Sequence, residues 1–332
     1  MRVGVIGTGR IGRYHARVVG AHPDVEALLV SDVDAARALD VATELGAEAV
    51  DSAEHLLGKV DALVIASSTD THAHLIHAAV DAGIPAFCEK PIALDLPSAS
   101  AVVRHVKEAD GVVQVGFQRR FDAGYSAARR MVQDGSLGTV YVIRVAGHDA
   151  VPPHESYIPG SGGMFRDLHI HDFDVARWIL GQEVSEVYAT GAVLCDPMFA
   201  KYGDVDTTAA TLMFDGGTLG VVTGTRHDAR GYDVRIELFG SSDTVSAGWD
   251  GRTPLRSLEP GMPPPPEHPY DGFLDRFDAA YRHELNAFVD LAHNRIPNPC
   301  TVEDAEIALR VALACERSRA EHRPVAVAEI GE

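Results

Sequence analysis

Over the first third of the chain, short apolar runs alternate with longer stretches of helical periodicity. Val3-Gly4-Val5-Ile6, Ala27-Leu28-Leu29-Val30, Ala62-Leu63-Val64-Ile65-Ala66, Pro85-Ala86-Phe87-Cys88 and Val112-Val113-Gln114-Val115 each read as a buried strand. Helical sequence fills the gaps near 11–19, 34–45, 71–82 and 96–106, with Gly46 and Gly83 as stops. Strands that are apolar throughout imply a parallel sheet covered on both faces. After about Gly116 the pattern changes. A strand at Tyr141-Val142-Ile143-Arg144-Val145 and a helix over 165–180 are followed by strands at 187–193, 208–214, 218–225 and 234–239 with no helix between them. Gly216-Gly217 is a hairpin signal, and Thr301 with Asp304 resembles a capping box opening the second of two final helices, 274–293 and 302–318. The four prolines 263–266 mark a loop or lid. The pattern predicts an α/β protein with a parallel-sheet domain over 1–117. An α+β domain with a mainly antiparallel sheet follows over 118–332.

A chain of 332 residues suits two domains, and its 29 basic against 48 acidic residues give a net charge of −19. So acidic a protein repels nucleic acid and anionic membrane. Its apolar runs of a few residues fall far short of the roughly 18 that span a bilayer. Residues 1–7 run straight into a strand pattern, with no signal-peptide organisation. Cys88, Cys195, Cys300 and Cys315 are dispersed and include no C-x-x-C pair, so neither a zinc knuckle nor a disulfide scaffold is expected. These features predict a cytoplasmic protein with no nucleic-acid or membrane partner.

Candidate chemistry begins at Gly7-Thr8-Gly9-Arg10-Ile11-Gly12, a G-x-G-x-x-G directly after a strand and opening a helix. Gly7 permits the tight turn, Gly9 lets backbone approach a pyrophosphate, and Gly12 allows close helix–strand packing. Asp32 follows 20 residues after Gly12, at the end of the second strand, where a carboxylate binds ribose hydroxyls and repels a 2′-phosphate. NAD is therefore expected over NADP. Arg37 reads as part of a solvated helix face.

Two further segments carry a family resemblance. They are Glu89-Lys90-Pro91 and the run Gly162-Gly163-Met164-Phe165-Arg166-Asp167-Leu168-His169-Ile170-His171-Asp172-Phe173-Asp174. With the glycine fingerprint they resemble the Gfo/Idh/MocA oxidoreductases, which implies a Rossmann domain at the N-terminus. Residues 116–122, Asp206-Thr207, Gly231-Tyr232-Asp233 and Tyr281-Arg282-His283-Glu284-Leu285 are similar to the inositol 2-dehydrogenase branch. The chain departs from that branch at Asp149-Ala150, after His148. The resemblance implies catalytic roles for Lys90, Asp167 and His171. It implies cofactor contacts by Arg10, Ile11, Ser68, His72, Glu89 and Lys90 in addition to the fingerprint. It also nominates Arg120, His148, Tyr157 and Tyr232, beside the catalytic three, as substrate contacts.

The residues support such chemistry on their own terms. Asp167 and His171 at i, i+4 share a helix face and are expected to be adjacent, and a carboxylate beside an imidazole suits a general base for alcohol oxidation. Lys90 would stabilise a developing alkoxide. Other readings stay open: Arg119 and Arg120 as structural ion-pair partners, and Tyr157 and Tyr232 as half-buried core aromatics. His169 and His171 lie about 200° apart on a helix and do not make a metal site together. With no basic cluster awaiting a phosphate, the expected substrate is neutral, and the resemblance implies a polyol: myo-inositol first, scyllo-inositol or another isomer second, a pyranose third. A non-enzymatic NAD sensor would need only the nucleotide site, so the presence of Lys90, Asp167 and His171 argues against it. The resemblance also implies homodimers or homotetramers built through the open face of the second sheet.

Overall fold

The computed structural model describes residues 1–331, and its first sheet contains β1 (Arg2–Ile6), β2 (Ala27–Ser31), β3 (Glu48–Ala49), β4 (Ala62–Ile65), β5 (Ala86–Glu89) and β6 (Val113–Gly116). Its order is β3-β2-β1-β4-β5-β6, and every neighbouring pair is parallel. Helices α1 (Arg10–Gly20), α2 (Ala35–Leu45), α3 (Ala53–Leu57), α4 (Thr69–Asp81) and α5 (Leu96–Glu108) make the crossovers. Strand residues such as Val3, Val5, Leu63, Val64 and Phe87 are fully buried, as a sheet covered on both faces requires. The helix ends follow the sequence signals. Asp34 accepts the N–H groups of Ala36 and Arg37 to open α2, and Gly46 closes it with φ +67°. Only β3 and α3 escape the sequence pattern, being too short to establish a period. Strand order reverses between β1 and β4, and in sheets of this kind ligands bind outside the strand ends at that reversal.

The second sheet contains β7 (Val140–His148), β8 (Val184–Ala192), β9 (Thr207–Phe214), β10 (Leu219–Thr225), β11 (Asp233–Gly240), β12 (Thr244–Ala247) and β13 (Val325–Ala326). Its order is β12-β11-β7-β10-β9-β8-β13; only the β7–β10 pair is parallel. Thr208, Ala210, Leu212 and Phe214 of β9 are buried on one face, and Thr211 and Met213 are exposed on the other. Helix α6 (Ala123–Gln133) precedes this sheet in the chain.

The predicted helix over 165–180 is not continuous. It divides into α8 (Met164–Asp167) and α9 (Ile170–Leu180), after a single turn, α7 (Ile158–Ser161). Both Leu168 N and His169 N donate to Met164 O, at 3.1 and 3.2 Å, which widens the turn by one residue and shifts the helical phase. The continuous helix assumed for Asp167 and His171 is thus interrupted between them: Asp167 ends α8 and His171 lies in the first turn of α9.

Two long helices, α10 (Phe273–Ala292) and α11 (Val302–Glu321), run close to the predicted spans, with α10 kinked at Phe277. Thr301 and Asp304 make the capping box reciprocally: Thr301 N donates to Asp304 Oδ2 at 3.0 Å, and Asp304 N to Thr301 Oγ1 at 3.3 Å. No helix among the described residues is long and apolar enough to cross a membrane.

The chain divides into two compact units, and the division is not a single cut near residue 117. Met1–Gln118 and Tyr281–Ile307 form the first, Arg119–Ala280 and Ala308–Gly331 the second. The reason lies in the first unit's core, where Leu285 and Phe288 are buried together with Val3, Val5, Val64 and Phe87. Backbone pairing extends this, with Val115 N donating to Cys300 O at 2.9 Å.

Candidate active site

In the first unit, the fingerprint glycines have distinct physical requirements. Gly7 adopts φ +88°, and a Cβ there would lie 2.5 Å from Ser67 N. A Cβ on Gly12 would lie 1.9 Å from Gly7 O, so the helix packs against the turn as closely as backbone allows. At Gly9 a Cβ would meet nothing within 4 Å, leaving open space for a ligand. No acidic residue occupies the first turn of α1, where Arg10 and Ile11 stand, so nothing there opposes an anion. Asp32 closes the far side. Its Oδ2 accepts Thr8 N at 2.7 Å and Thr8 Oγ1 at 3.0 Å, and its Oδ1 accepts Asp34 N at 2.9 Å. Burial pushes this carboxyl up, but the Thr8 and Asp34 N–H groups outweigh it and hold the group below the usual range. Arg37 is not purely solvated: its guanidinium stands 3.5 Å from both Asp32 and Asp34. These features fit a dinucleotide with free ribose hydroxyls.

Ser68 precedes α4 in an extended conformation, and its carbonyl accepts Thr71 Oγ1 at 2.8 Å. His72 lies within α4, buried, with Nδ1 2.8 Å from Pro91 O and Nε2 3.1 Å from Ser67 O. Its ring nitrogens face backbone carbonyls, so His72, expected at the cofactor, clamps two loops together. Burial pushes its pKa below the ordinary value. Lys90 follows β5, joined to Pro91 by a cis peptide bond, and its N–H donates to Glu89 Oε2 at 3.3 Å. Glu89, also expected at the cofactor, turns its Oε1 to His15 Nε2 at 2.6 Å.

In the second unit, Asp167 is held from two directions. Tyr157 OH donates to Oδ1 at 2.8 Å and Arg226 Nη2 to Oδ2 at 2.8 Å, while Arg226 Nη1 reaches Asp149 Oδ2 at 3.3 Å. Burial of the hydroxyl end and the neighbouring Asp167 charge push the Tyr157 phenol well up, so it stays a donor at neutral pH. His171, partly exposed, lies in the first turn of α9. Its sequence neighbour Asp172 belongs to a buried polar chain. Arg119 pairs with Asp172 Oδ1, Asp172 Oδ2 lies 2.6 Å from His169 Nδ1, and His169 Nε2 lies 2.6 Å from Thr208 Oγ1. Burial opposes the Asp172 charge, yet Arg119 and His169 hold its carboxyl below the usual range.

Arg120, His148 and Tyr232, three of the nominated substrate contacts, have the following surroundings. Arg120 is buried, with Nε donating to Asp174 Oδ2 at 2.9 Å and Nη2 to Asp174 Oδ1 at 2.5 Å, which is the ion-pair reading. His148 lies on the outward face of the second sheet. A Cβ on Gly147 would point at Leu168 and Asp172, and the next residue on a strand points the other way. There His148 lines a depression with Arg144, Val221, Thr223 and Arg235, and its Nδ1 lies 2.9 Å from Thr225 Oγ1. Tyr232 is 8% exposed, its phenol pushed up by burial, which places it closer to a core aromatic. Asp206, part of the resembling pattern, gathers the N–H groups of Leu194, Cys195 and Asp196 at 2.8 to 2.9 Å and anchors that loop.

Residue reasoning gave no role to His15 or Arg226, whose partners Glu89 and Asp167 lie 74 and 59 residues away, and no short motif marks either. His169 stood in a quoted motif, but its contact with Thr208 lies 39 residues on.

Residues 1–117 match the family described as oxidoreductase family, NAD-binding Rossmann fold, and residues 125–246 match the GFO/IDH/MocA C-terminal domain. The myo-inositol 2-dehydrogenase of Thermotoga maritima is 38% identical, with 99% of each chain covered. A scyllo-inositol 2-dehydrogenase (NAD(+)) of Bacillus subtilis is 35% identical over 98% of this chain and 96% of that one. Among solved structures, a myo-inositol dehydrogenase from Corynebacterium glutamicum superposes with a TM-score of 0.90 at 36% identity, covering 98% of both chains.

Proposed function

The chain belongs to the Gfo/Idh/MocA oxidoreductase family, and from that premise we propose that it oxidises one secondary alcohol of a neutral cyclic polyol with NAD, myo-inositol first and scyllo-inositol second. The supporting observation is end-to-end similarity, 38% over 99% of the chain, to an enzyme named for that reaction. NAD, when bound, supplies the acceptor for the hydride that leaves the carbinol carbon. The turn from Gly7 to Gly12 binds the pyrophosphate through backbone N–H groups, and Asp32 takes the ribose hydroxyls. Lys90 presents its ammonium to the alcohol oxygen and stabilises the developing alkoxide. His171 takes the hydroxyl proton on a ring nitrogen, which leaves the ketone and an imidazolium. Asp167, fixed by Tyr157 and Arg226, supplies the negative charge that favours this imidazolium.

The test is NADH formation by the purified protein with myo-inositol, scyllo-inositol, glucose and a sugar phosphate at matched concentrations. Preference for an inositol is expected. A clear preference for the phosphate refutes the neutral-polyol reading, and activity on glucose alone removes the enzyme from the inositol branch.

The same reading makes the protein a cytoplasmic homodimer or homotetramer. Tyr188, Met213, Leu219 and Val221 stand 37 to 50% exposed on the outward face of the second sheet, an apolar surface suited to a second copy. Light scattering that finds only monomer at micromolar concentration refutes the assembly.

A further inference from the structure

Lys90 sits between two residues held by buried imidazoles. On one side, Glu89 Oε1 lies 2.6 Å from His15 Nε2, while Glu89 Oε2 accepts the N–H of Lys90 itself at 3.3 Å. On the other side, Pro91 O lies 2.8 Å from His72 Nδ1, and the opposite ring nitrogen faces Ser67 O at 3.1 Å. His15 and His72 are 0% and 1% exposed. His15 belongs to α1, the helix that the glycine fingerprint opens, and His72 to α4, which begins beside Ser68. The two rings thus tie α1, α4 and the loop after β4 to the segment that carries the lysine.

His15 shows what its ring is for. Aromatic rings surround it, with Phe87 at 5.4 Å, Tyr281 at 5.9 Å and Tyr14 at 6.1 Å between centroids. Its Nδ1 is buried with no hydrogen-bond partner. A leucine would fill such a pocket without stranding a polar atom, so packing alone does not account for a histidine. Among the described residues, the one polar contact the ring makes is with Glu89.

We infer that His15 is a positioning residue for the proposed reaction. It fixes the Glu89 carboxylate, which fixes the backbone at Lys90 and so the approach of the lysine to the alcohol oxygen. This rests on Lys90 acting at the carbinol, as proposed above.

A double-mutant cycle on the full-length enzyme tests it, with kcat on the best substrate of the panel and NAD affinity by calorimetry as readouts. His15→Leu should lower kcat about tenfold to one-hundredfold, the loss of one charge-assisted hydrogen bond, with NAD affinity kept within about threefold. His15→Gln, whose amide nitrogen reaches the Nε2 position, should restore kcat to within about threefold of wild type. In a Lys90→Ala background, His15→Leu should cost less than about twofold more, because the group it positions is gone. Fully multiplicative losses, or NAD affinity falling in step with kcat, overturn the role. If His15→Leu does not fold, the same cycle with Glu89→Gln decides, and the same non-additivity is expected. A Lys90→Ala enzyme with normal kcat overturns the assignment of Lys90 and this role with it. A normal Lys90 effect with additive losses overturns the positioning alone.

Discussion

Arg120→Leu separates a structural cation from a substrate contact. The guanidinium and its partner Asp174 have side chains only 5% and 1% exposed, joined by a forked pair of bonds at 2.9 and 2.5 Å. Removing the cation leaves a carboxylate in a site that water does not reach. Breaking such a buried pair costs about 3–5 kcal/mol. For a chain of 332 residues, that is a fall in Tm of roughly 4–7 °C. The Arg120→Leu/Asp174→Leu double variant removes both charges together and should recover most of the loss, to within about 2 kcal/mol of wild type. Differential scanning calorimetry gives the first quantity and steady-state kinetics the control: KM for the polyol should stay within about twofold in whatever fraction folds. An unchanged Tm with a polyol KM raised about tenfold would refute this reasoning and return Arg120 to the substrate.

Asp32→Ser removes the acceptor that binds Thr8 and Asp34, and should shrink the preference for NAD over NADP about tenfold in kcat/KM; an undiminished preference refutes it. Lys90→Ala and His171→Ala should each lower kcat about 100- to 10,000-fold while NAD binding, measured by calorimetry, is largely kept; near-normal turnover in His171→Ala removes it as the base. Asp172 has its carboxyl held low: burial opposes the charge, but Arg119 and His169 prevail. Its stabilisation is therefore complete above the unfolded value of about 3.9 and is lost as pH falls through the lower folded pKa. Acid unfolding should be steeper in wild type than in Asp172→Asn below about pH 4, and equal slopes refute the pairing.

What the sequence disclosed follows the range of the interactions concerned. The continuous apolar runs that become β1, β2, β4, β5 and β6 carry their own evidence of two-sided burial, and Gly7, Gly12 and Gly46 report local backbone demands. The turn at Leu168 and His169 left no such trace. One extra residue in the helix is tied to an imidazole that reaches Asp172 and Thr208, and the latter pairing is set only when β9 is in place. The face of β7 that His148 joins was hidden for a related reason, since it depends on where Gly147 meets Asp172 of α9. Arg120 and Arg226 look alike in sequence, yet one is spent on Asp174 and the other reaches Asp167.

Leu285 and Phe288 complete the core around β1, β4 and β5, and this sets the order of events on the ribosome. A nascent chain presents residues 1–118 first, but the side chains that fill their core emerge about 170 residues later, after roughly 10–30 s of synthesis. Until then the nucleotide half exposes a cleft lined by Val3, Val64 and Phe87. Residues 119–280 of the other half are by then already out of the exit tunnel. The nucleotide half is first to be made and late to be sealed, so a fragment ending at residue 118 should sediment with aggregates or chaperones instead of folding alone.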